Sequence, residues 1–250
     1  CGPGDGGARG GVGGQGRRAG PARAGEAGAR LLGPAGKGRA GRRFLVTAGA
    51  SIEAIDPVRF ISNHSSGKMG YAIAGELAAR GAEVTLISGR TSLDCPEGVR
   101  RVDVLSAEEM YRAATEAFGA ADGAVMCAAV ADYTPEEVAT TKLKKGDGEL
   151  VIRLRRTHDI AAELGARKEG RLLVGFALET DDEEAHAEEK LARKHFDFIV
   201  LNSLRDAGAG FRGDTNKVTF IDGSGREPLP LLSKHEVAVR IVDRIEKLLK

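Results

Sequence analysis

From residue 44 onward, apolar runs of strand length alternate with stretches of helical period, and this alternation most constrains what the chain can fold into. The strand candidates are FLVTA (44–48), EVTLIS (83–88), RRVDVLS (100–106), GAVMCAAV (123–130), LLVGFAL (172–178) and DFIVLN (197–202). Most are uninterrupted, as expected of strands buried on both faces. Helical period occupies the intervening segments 67–81, 107–119, 159–168 and 183–196, and a closing segment, 233–250, places Val237, Ile241, Ile245 and Leu248 on one docking face. LVIRLR (150–155) and KVTFID (217–222) read as additional strands, the second near an edge or in a late antiparallel pair. The prediction is an α/β fold: a doubly wound, largely parallel sheet with helices on both faces and a small extra strand pair.

Residues 1–43 break this pattern. They hold 16 of the 35 glycines, and nine basic against two acidic side chains give them a net charge of +7, which leaves about −6 on residues 44–250 given the overall +1. Outside Leu31 and Leu32 there is almost nothing to bury, so the segment reads as disordered. It lacks the aromatic residues that interleave in base-stacking tails, and no nucleic-acid partner is expected. With no apolar leader and no run of about 18 apolar residues, no membrane association is expected and the cytoplasm is the predicted location. Cys1, Cys95 and Cys127 are scattered and odd in number, and the histidines at 64, 158, 186, 195 and 235 show no metal spacing. Neither a disulfide framework nor a structural metal is predicted.

In a doubly wound sheet, ligands lie beyond the carboxyl ends of the strands, so the polar residues there carry the interest. The first strand runs into TAGAS, where only Gly49 stands in place of a GxGxxG dinucleotide fingerprint; its small residues allow a close nucleotide approach or form an ordinary turn. About 19 residues of polar loop follow, ending in ISNHSSGKMG. The stretch is no Walker loop, because Ser62 and Met69 occupy positions that need glycine and Ser or Thr. Ser65, Ser66 and Gly67 lead into a helix, where they either bind an anion or merely cap it. After the fourth strand, Asp132 and then Lys142, Lys144 and Lys145 of KLKK suit a nucleoside triphosphate with magnesium in a lid-like stretch, or form a solvated charge run. Phe176 is a core residue or a base-stacking one, and Lys190 and Lys194 share a helix face that faces solvent unless a nucleotide covers it. Cys127 reads as a packing residue rather than a nucleophile.

Taken in order, DPVRFISNHSSGKMGYAIA, AAVADYTP, KLKK, VGFALET, the Asn202 strand end and FRGDTNKVTFID resemble phosphopantothenate-cysteine ligase, the ligase half of the bacterial bifunctional coenzyme A biosynthesis protein. The resemblance spans residues 43–250 and implies a Rossmann-like, homodimeric enzyme that joins 4'-phosphopantothenate to L-cysteine. CTP is the implied co-substrate, with Mg2+, and an acyl-cytidylate the implied intermediate. It further implies that Asn63 serves the conversion of that intermediate by cysteine, and that Lys142 is needed to form it. Met126, Cys127, Ala128 and Asp132 match the nucleotide-lining segment and its acidic residue. Thr157, His158, Asp159 and Ile160 match the base-reading loop, and Phe176, Lys190 and Lys194 match further CTP contacts. The magnesium ligands are left unassigned.

The departures are specific. Where the family reads AGGT, a variable residue and EP, this chain reads AGASIEA, so Ala50, Ser51 and Ala54 replace glycine, threonine and proline. His158 stands where proline is usual, and Asn202-Ser203 where Asn-Asp is usual. A flavin-dependent decarboxylase precedes the ligase in bifunctional relatives; 43 Gly/Arg-rich residues do not suffice for one, so no FMN is expected in this chain, which is read as a stand-alone ligase or part of a longer protein. Two other readings stay open: an NAD(P)-dependent oxidoreductase, disfavoured by the missing GxGxxG, and a catalytically degenerate nucleotide-binding or scaffold protein of the same fold.

Overall fold

The computed structural model describes residues 41–146, 148–179, 182–203 and 213–250. The segment read as disordered therefore lies, up to residue 40, outside the described residues, as do Thr180 and Asp181 after the fifth predicted strand. Arg43 opens β1 (Arg43–Ala48), and the chain continues through a short hairpin, β2 (Ile52–Ala54) and β3 (Phe60–Ser62), into α1 (Lys68–Ala79). Next come β4 (Glu83–Ser88), β5 (Val99–Asp103), α2 (Ala107–Phe118) and β6 (Gly123–Met126). A second small pair, β7 (Tyr133–Pro135) and β8 (Leu154–Arg156), leads to α3 (Ile160–Ala166), β9 (Leu172–Glu179), α4 (Glu183–Arg193) and β10 (Phe198–Ser203). The chain closes with β11 (Thr215–Asn216), β12 (Val218–Asp222), β13 (Gly225–Pro228), β14 (Leu232–Ser233) and α5 (Lys234–Leu248).

Eight strands form one sheet in the order β13-β12-β10-β9-β6-β1-β4-β5. The six from β5 to β10 are parallel, and β12 and β13 add antiparallel at one edge. This is the doubly wound architecture the alternation predicts. The winding direction reverses between β1 and β6, and a crevice opens at that switch point beyond the strand ends. Alternating strand residues feed two cores. Phe44, Val46, Leu86, Val125, Val174 and Val200 pack under α1 and α5, while Leu45, Ile87, Ala124 and Leu173 pack under α2 and α3. Ala177, Ile199 and Leu201 meet Ala187 of α4 on the second face. α1 lies unusually close to β1: a Cβ built on Gly70 would stand 2.6 Å from the Ala48 methyl.

Five expectations need correction. The long polar loop is partly ordered as the β2–β3 hairpin, with Ile52 opposite Ser62 and Ala54 opposite Phe60. β5 ends at Asp103 and, as an edge strand paired only to β4, is half-covered rather than buried on both faces. LVIRLR contributes only Leu154 and Arg155, which with Arg156 form β8 and pair with β7, and β6 stops at Met126. In α5, Val237, Ile241 and Ile245 are buried, but Leu248 is 47% exposed and the following Leu249 packs on the core in its place.

Candidate active site

The crevice at the switch point is a cavity of about 550 Å³. Its floor is the segment that leaves β6. Beyond Met126 the chain runs beside the end of β1 instead of staying in the sheet ladder: the Ala128 N–H donates to the Thr47 hydroxyl at 3.2 Å, Ala129 N–H to the Gly49 carbonyl at 2.9 Å, and Ala131 N–H to the Ser51 hydroxyl at 3.0 Å. The AGAS turn thus acts as a template for the floor. Gly49 has φ 78 and Ala50 bridges to Arg90 and Ala129 outside the left-handed region, so the positive-φ position belongs to the glycine already there. Ser51 retains the hydroxyl that a threonine would offer. Gly49 itself faces Gly89, whose carbonyl oxygen lies 3.0 Å from a Cβ built on it, and is not part of the cavity wall.

One wall is the segment before α3. The Thr157 hydroxyl donates to the Ala131 carbonyl at 2.7 Å and its N–H to the Asp132 carbonyl at 3.0 Å, which ties this loop to the floor. Asp159 caps α3 by accepting from the Ala162 N–H at 3.1 Å, and it also accepts from the Lys194 ammonium at 2.9 Å. Burial raises the pKa of Asp159, but the bonds from Lys194 and Ala162 outweigh it and hold the carboxyl below its ordinary value. The His158 ring stacks on Tyr111 of α2, centroids 4.4 Å apart, with Nε2 3.5 Å from the Glu108 carboxylate. His158 is therefore braced from outside the loop, where a proline would stiffen it from within. Ile160 and Lys190 also line the cavity, as does Phe176, which packs against the core on the α1 and α5 face of the sheet.

The opposite wall is the start of α1. Ser65, Ser66 and Gly67 line the cavity, and Gly67, at φ 79, is the N-cap residue. The N-cap residue, Gly67, has no side chain to cap with, the Ser65 hydroxyl accepts from the Gly67 N–H at 3.4 Å, and the first turn holds no acidic residue, which suits the helix end to an anion. Cys127 also lines the cavity, and burial pushes its thiol up to about 12, with the Lys234 charge opposing. A thiol so protonated is no nucleophile at neutral pH.

The predicted catalytic pair lies at the margin. The Asn63 amide donates to the Ala129 carbonyl at 2.6 Å and its Oδ1 accepts from the Ser65 N–H at 3.0 Å, which fixes it between the floor and the α1 loop, yet Asn63 is not among the residues that line the cavity. Lys142, Lys144 and Lys145 are exposed outside the cavity. Asp132, also exposed, does line it. Between the lysines, Leu143 is anchored in a way the residue pattern does not disclose. Its N–H donates to the enclosed Asp56 carboxylate at 3.1 Å and its carbonyl accepts from Arg59 at 3.0 Å. Asp56 also accepts from the N–H groups of Val58 and Arg59 at 2.8 Å and from the Arg59 guanidinium, which holds its carboxyl far below the usual range. The DPVR turn therefore clamps the KLKK stretch. Among the described residues no cluster of three metal-ligating side chains exists; Asp132 and Asp159 are carboxylates that line the cavity, and Asp159 is paired with Lys194.

Residues 39–249 match the model of the DNA/pantothenate metabolism flavoprotein C-terminal domain family. The chain is similar to a protein named cysteine/cysteine sulfinic acid decarboxylase from an unknown prokaryotic organism, at 54% identity over 79% of this chain and 56% of that protein. It is also similar to the coenzyme A biosynthesis bifunctional protein CoaBC of Bacillus subtilis, at 49% identity over 82% of this chain and 51% of that protein. Among solved structures, the C-terminal domain of CoaBC aligns at 44% identity with a TM-score of 0.73, covering 84% of this chain and 97% of the other. The chain thus spans about half the length of the curated relatives it matches.

Proposed function

The chain belongs to the DNA/pantothenate metabolism flavoprotein C-terminal domain family, and from that premise we propose that it is a ligase of coenzyme A biosynthesis that couples 4'-phosphopantothenate to L-cysteine at the expense of CTP. The observation that carries the reading is the cavity itself. A cradle for a base and an uncapped helix end suited to phosphate face one another across a floor held rigid by Thr47, Gly49 and Ser51.

A carboxylate is a poor acyl donor, so the reaction begins by making it a better one. An oxygen of the phosphopantothenate carboxylate attacks the α-phosphorus of CTP, the bond to the β-phosphate breaks, and pyrophosphate leaves. The cysteine amine then attacks the acyl carbon of the cytidylate, the acyl–oxygen bond breaks, CMP departs, and the amine gives up a proton. Thr157 to Ile160, Phe176, Lys190 and Lys194 take the cytidine end. Lys142, presented by the clamped loop and aided by Lys144 and Lys145, neutralises charge as pyrophosphate leaves. Asn63 offers its remaining amide N–H to the acyl oxygen without adding charge. Magnesium arriving with the nucleotide would supply further charge neutralisation, with Asp132 in reach to hold it.

The homodimer is proposed on the exposure of the β7–β8 arm and its neighbours. Phe60, Tyr133, Val138, Leu150, Val151 and Leu154 are all large apolar residues left exposed, Val151 at 75%. Tyr133 and Leu154 stand on the paired strands β7 and β8, and a second copy of the chain would cover apolar surface exposed there. No helix among the described residues is long and apolar enough to cross a membrane. The altered AGAS turn is fully used as the floor template, which speaks against a degenerate protein. Thermal denaturation with magnesium and CTP tests the assignment: at one hundred times its dissociation constant CTP stabilises a binder by about 2.7 kcal/mol, and the absence of any shift with CTP or ATP would contradict it.

A further inference from the structure

Among the described residues, four side chains with aromatic rings line the cavity: Tyr133, His158, Phe176 and Phe196. They are not equivalent. Phe176 and Phe196 pack against the core clusters on the two faces of the sheet, so part of each ring is already spent on the protein. Tyr133, on β7, is 47% exposed, and its side chain makes no ring contact or hydrogen bond among the described residues. His158 is both held and open. Its imidazole stacks on Tyr111 of α2, with centroids 4.4 Å and planes 17° apart, and Tyr111 stands outside the cavity wall. Nε2 lies 3.5 Å from the Glu108 carboxylate, which in turn accepts from the Arg112 guanidinium at 2.8 Å. One face and one edge of the ring are thus fixed from behind. The side chain is nevertheless 56% exposed, which places its open surface on the face turned away from Tyr111. The residues on either side are anchored too, Thr157 to the floor and Asp159 to α3 and Lys194.

A flat ring, fixed on one face and open on the other, is a surface on which a second heteroaromatic ring stacks. Because α2 holds the imidazole in place before any ligand arrives, little side-chain freedom is left to lose on stacking, whereas the unbraced Tyr133 ring would lose its own. Stacking is tolerant of sequence, since every base has a π-face. A purine offers that face over a larger area than a pyrimidine, so the contact gains at least as much with adenine as with cytosine.

We infer that His158, backed by Tyr111, is the platform on which the nucleotide base stacks, and that it lets the site take ATP alongside CTP. The inference rests on the ligase reading for the presence of a nucleoside triphosphate in this cavity. His158 touches the base. Tyr111 and Glu108 act through it and are positioning residues.

The test is calorimetric titration of the full chain with CTP and with ATP, in magnesium and without the acid substrate. Wild type is compared with His158→Leu, His158→Phe, Tyr111→Leu and Tyr111→Phe. Wild type binds ATP within about tenfold of CTP. His158→Leu weakens both nucleotides by about tenfold, ATP at least as much as CTP, and His158→Phe restores them. Tyr111→Leu weakens both by a smaller factor and Tyr111→Phe does not, the pattern of one ring positioning another rather than of a general loss of structure. Should His158→Leu fail to fold, the Tyr111 pair carries the same comparison. Equal affinities in wild type and His158→Leu overturn the inference, as does a wild type whose affinity for ATP falls more than about tenfold below that for CTP. Either result leaves the ligase reading in place if 4'-phosphopantothenate still elicits pyrophosphate release. Binding that depends on His158 without such release sinks the ligase reading alone, and a wild type that binds neither nucleotide overturns both.

Discussion

Asn63 shows how much a single amide is asked to do. It is held at both ends by backbone groups, with one N–H left over, and that remaining donor is the group proposed to meet the acyl oxygen. Asn63→Asp sets a carboxylate against the Ala129 carbonyl and beside the phosphoryl group. The account predicts that cytidylate still forms while its transfer to cysteine falls about 100-fold or more, as read by trapping the intermediate in a quenched single turnover. Cys127 sits in the same cavity yet is inert. Its folded pKa of about 12 lies above the ordinary 9.0, so its contribution to stability is complete below about pH 9 and is lost as pH climbs toward 12. At pH 8, iodoacetamide should alkylate the exposed Cys95 and spare Cys127 in the native protein, with mass spectrometry of the peptides as the readout. Ready alkylation of Cys127 would mean that its environment is not the enclosed one described.

At the scale of elements, the order of strands and helices was legible because apolar runs and helical periods are local properties: β1, β4, β9, β10, β12 and all five helices fall within three residues of their predicted bounds. What escaped detection depends on partners distant in the chain. GAVMCAAV is apolar throughout, yet it leaves the sheet ladder at Met126 because Thr47, Gly49 and Ser51 offer its backbone another set of acceptors. The Asp56–Leu143 clamp joins residues 87 positions apart and has no periodic signature. Of the candidate site, the residues next to strand ends and the α1 start were legible; Lys234 was not, because it opens a helix far along the chain and reaches the cavity only through the fold. The clamp gives a direct expectation. Asp56→Asn removes the acceptor for Leu143 and the counter-charge of Arg59, so cytidylate formation should fall about 10- to 100-fold through misplacement of Lys142, while CTP affinity at the base end holds. Unaltered cytidylate formation would show that the clamp does not position the lid. Gly70→Ala tests the packing of α1 on β1: the added methyl meets Ala48 at 2.6 Å, and urea denaturation should register a loss of about 1–3 kcal/mol. Unchanged stability would mean that α1 has room to shift.

For the whole molecule, the proposed function draws on one cavity at the sheet's switch point, lined by the starts of α1 and α3 and by residues of α4, and on the KLKK stretch tied to the β2–β3 hairpin through Asp56. The proposed homodimer would cover the exposed Val151 and Leu154 with a second copy. Val151→Asp with Leu154→Asp should convert a dimer to monomers in sedimentation velocity, and a wild type that sediments as a monomer would remove that part of the account. The central claim is the two-step activation itself, and pyrophosphate release tests it most directly: wild type, Asn63→Asp and Lys142→Ala are each given 4'-phosphopantothenate, CTP and magnesium, with and without L-cysteine. The account predicts release that requires 4'-phosphopantothenate, that Lys142→Ala abolishes, and that Asn63→Asp supports for about one turnover without responding to cysteine. A wild-type protein that releases no pyrophosphate from CTP or ATP under these conditions would contradict it.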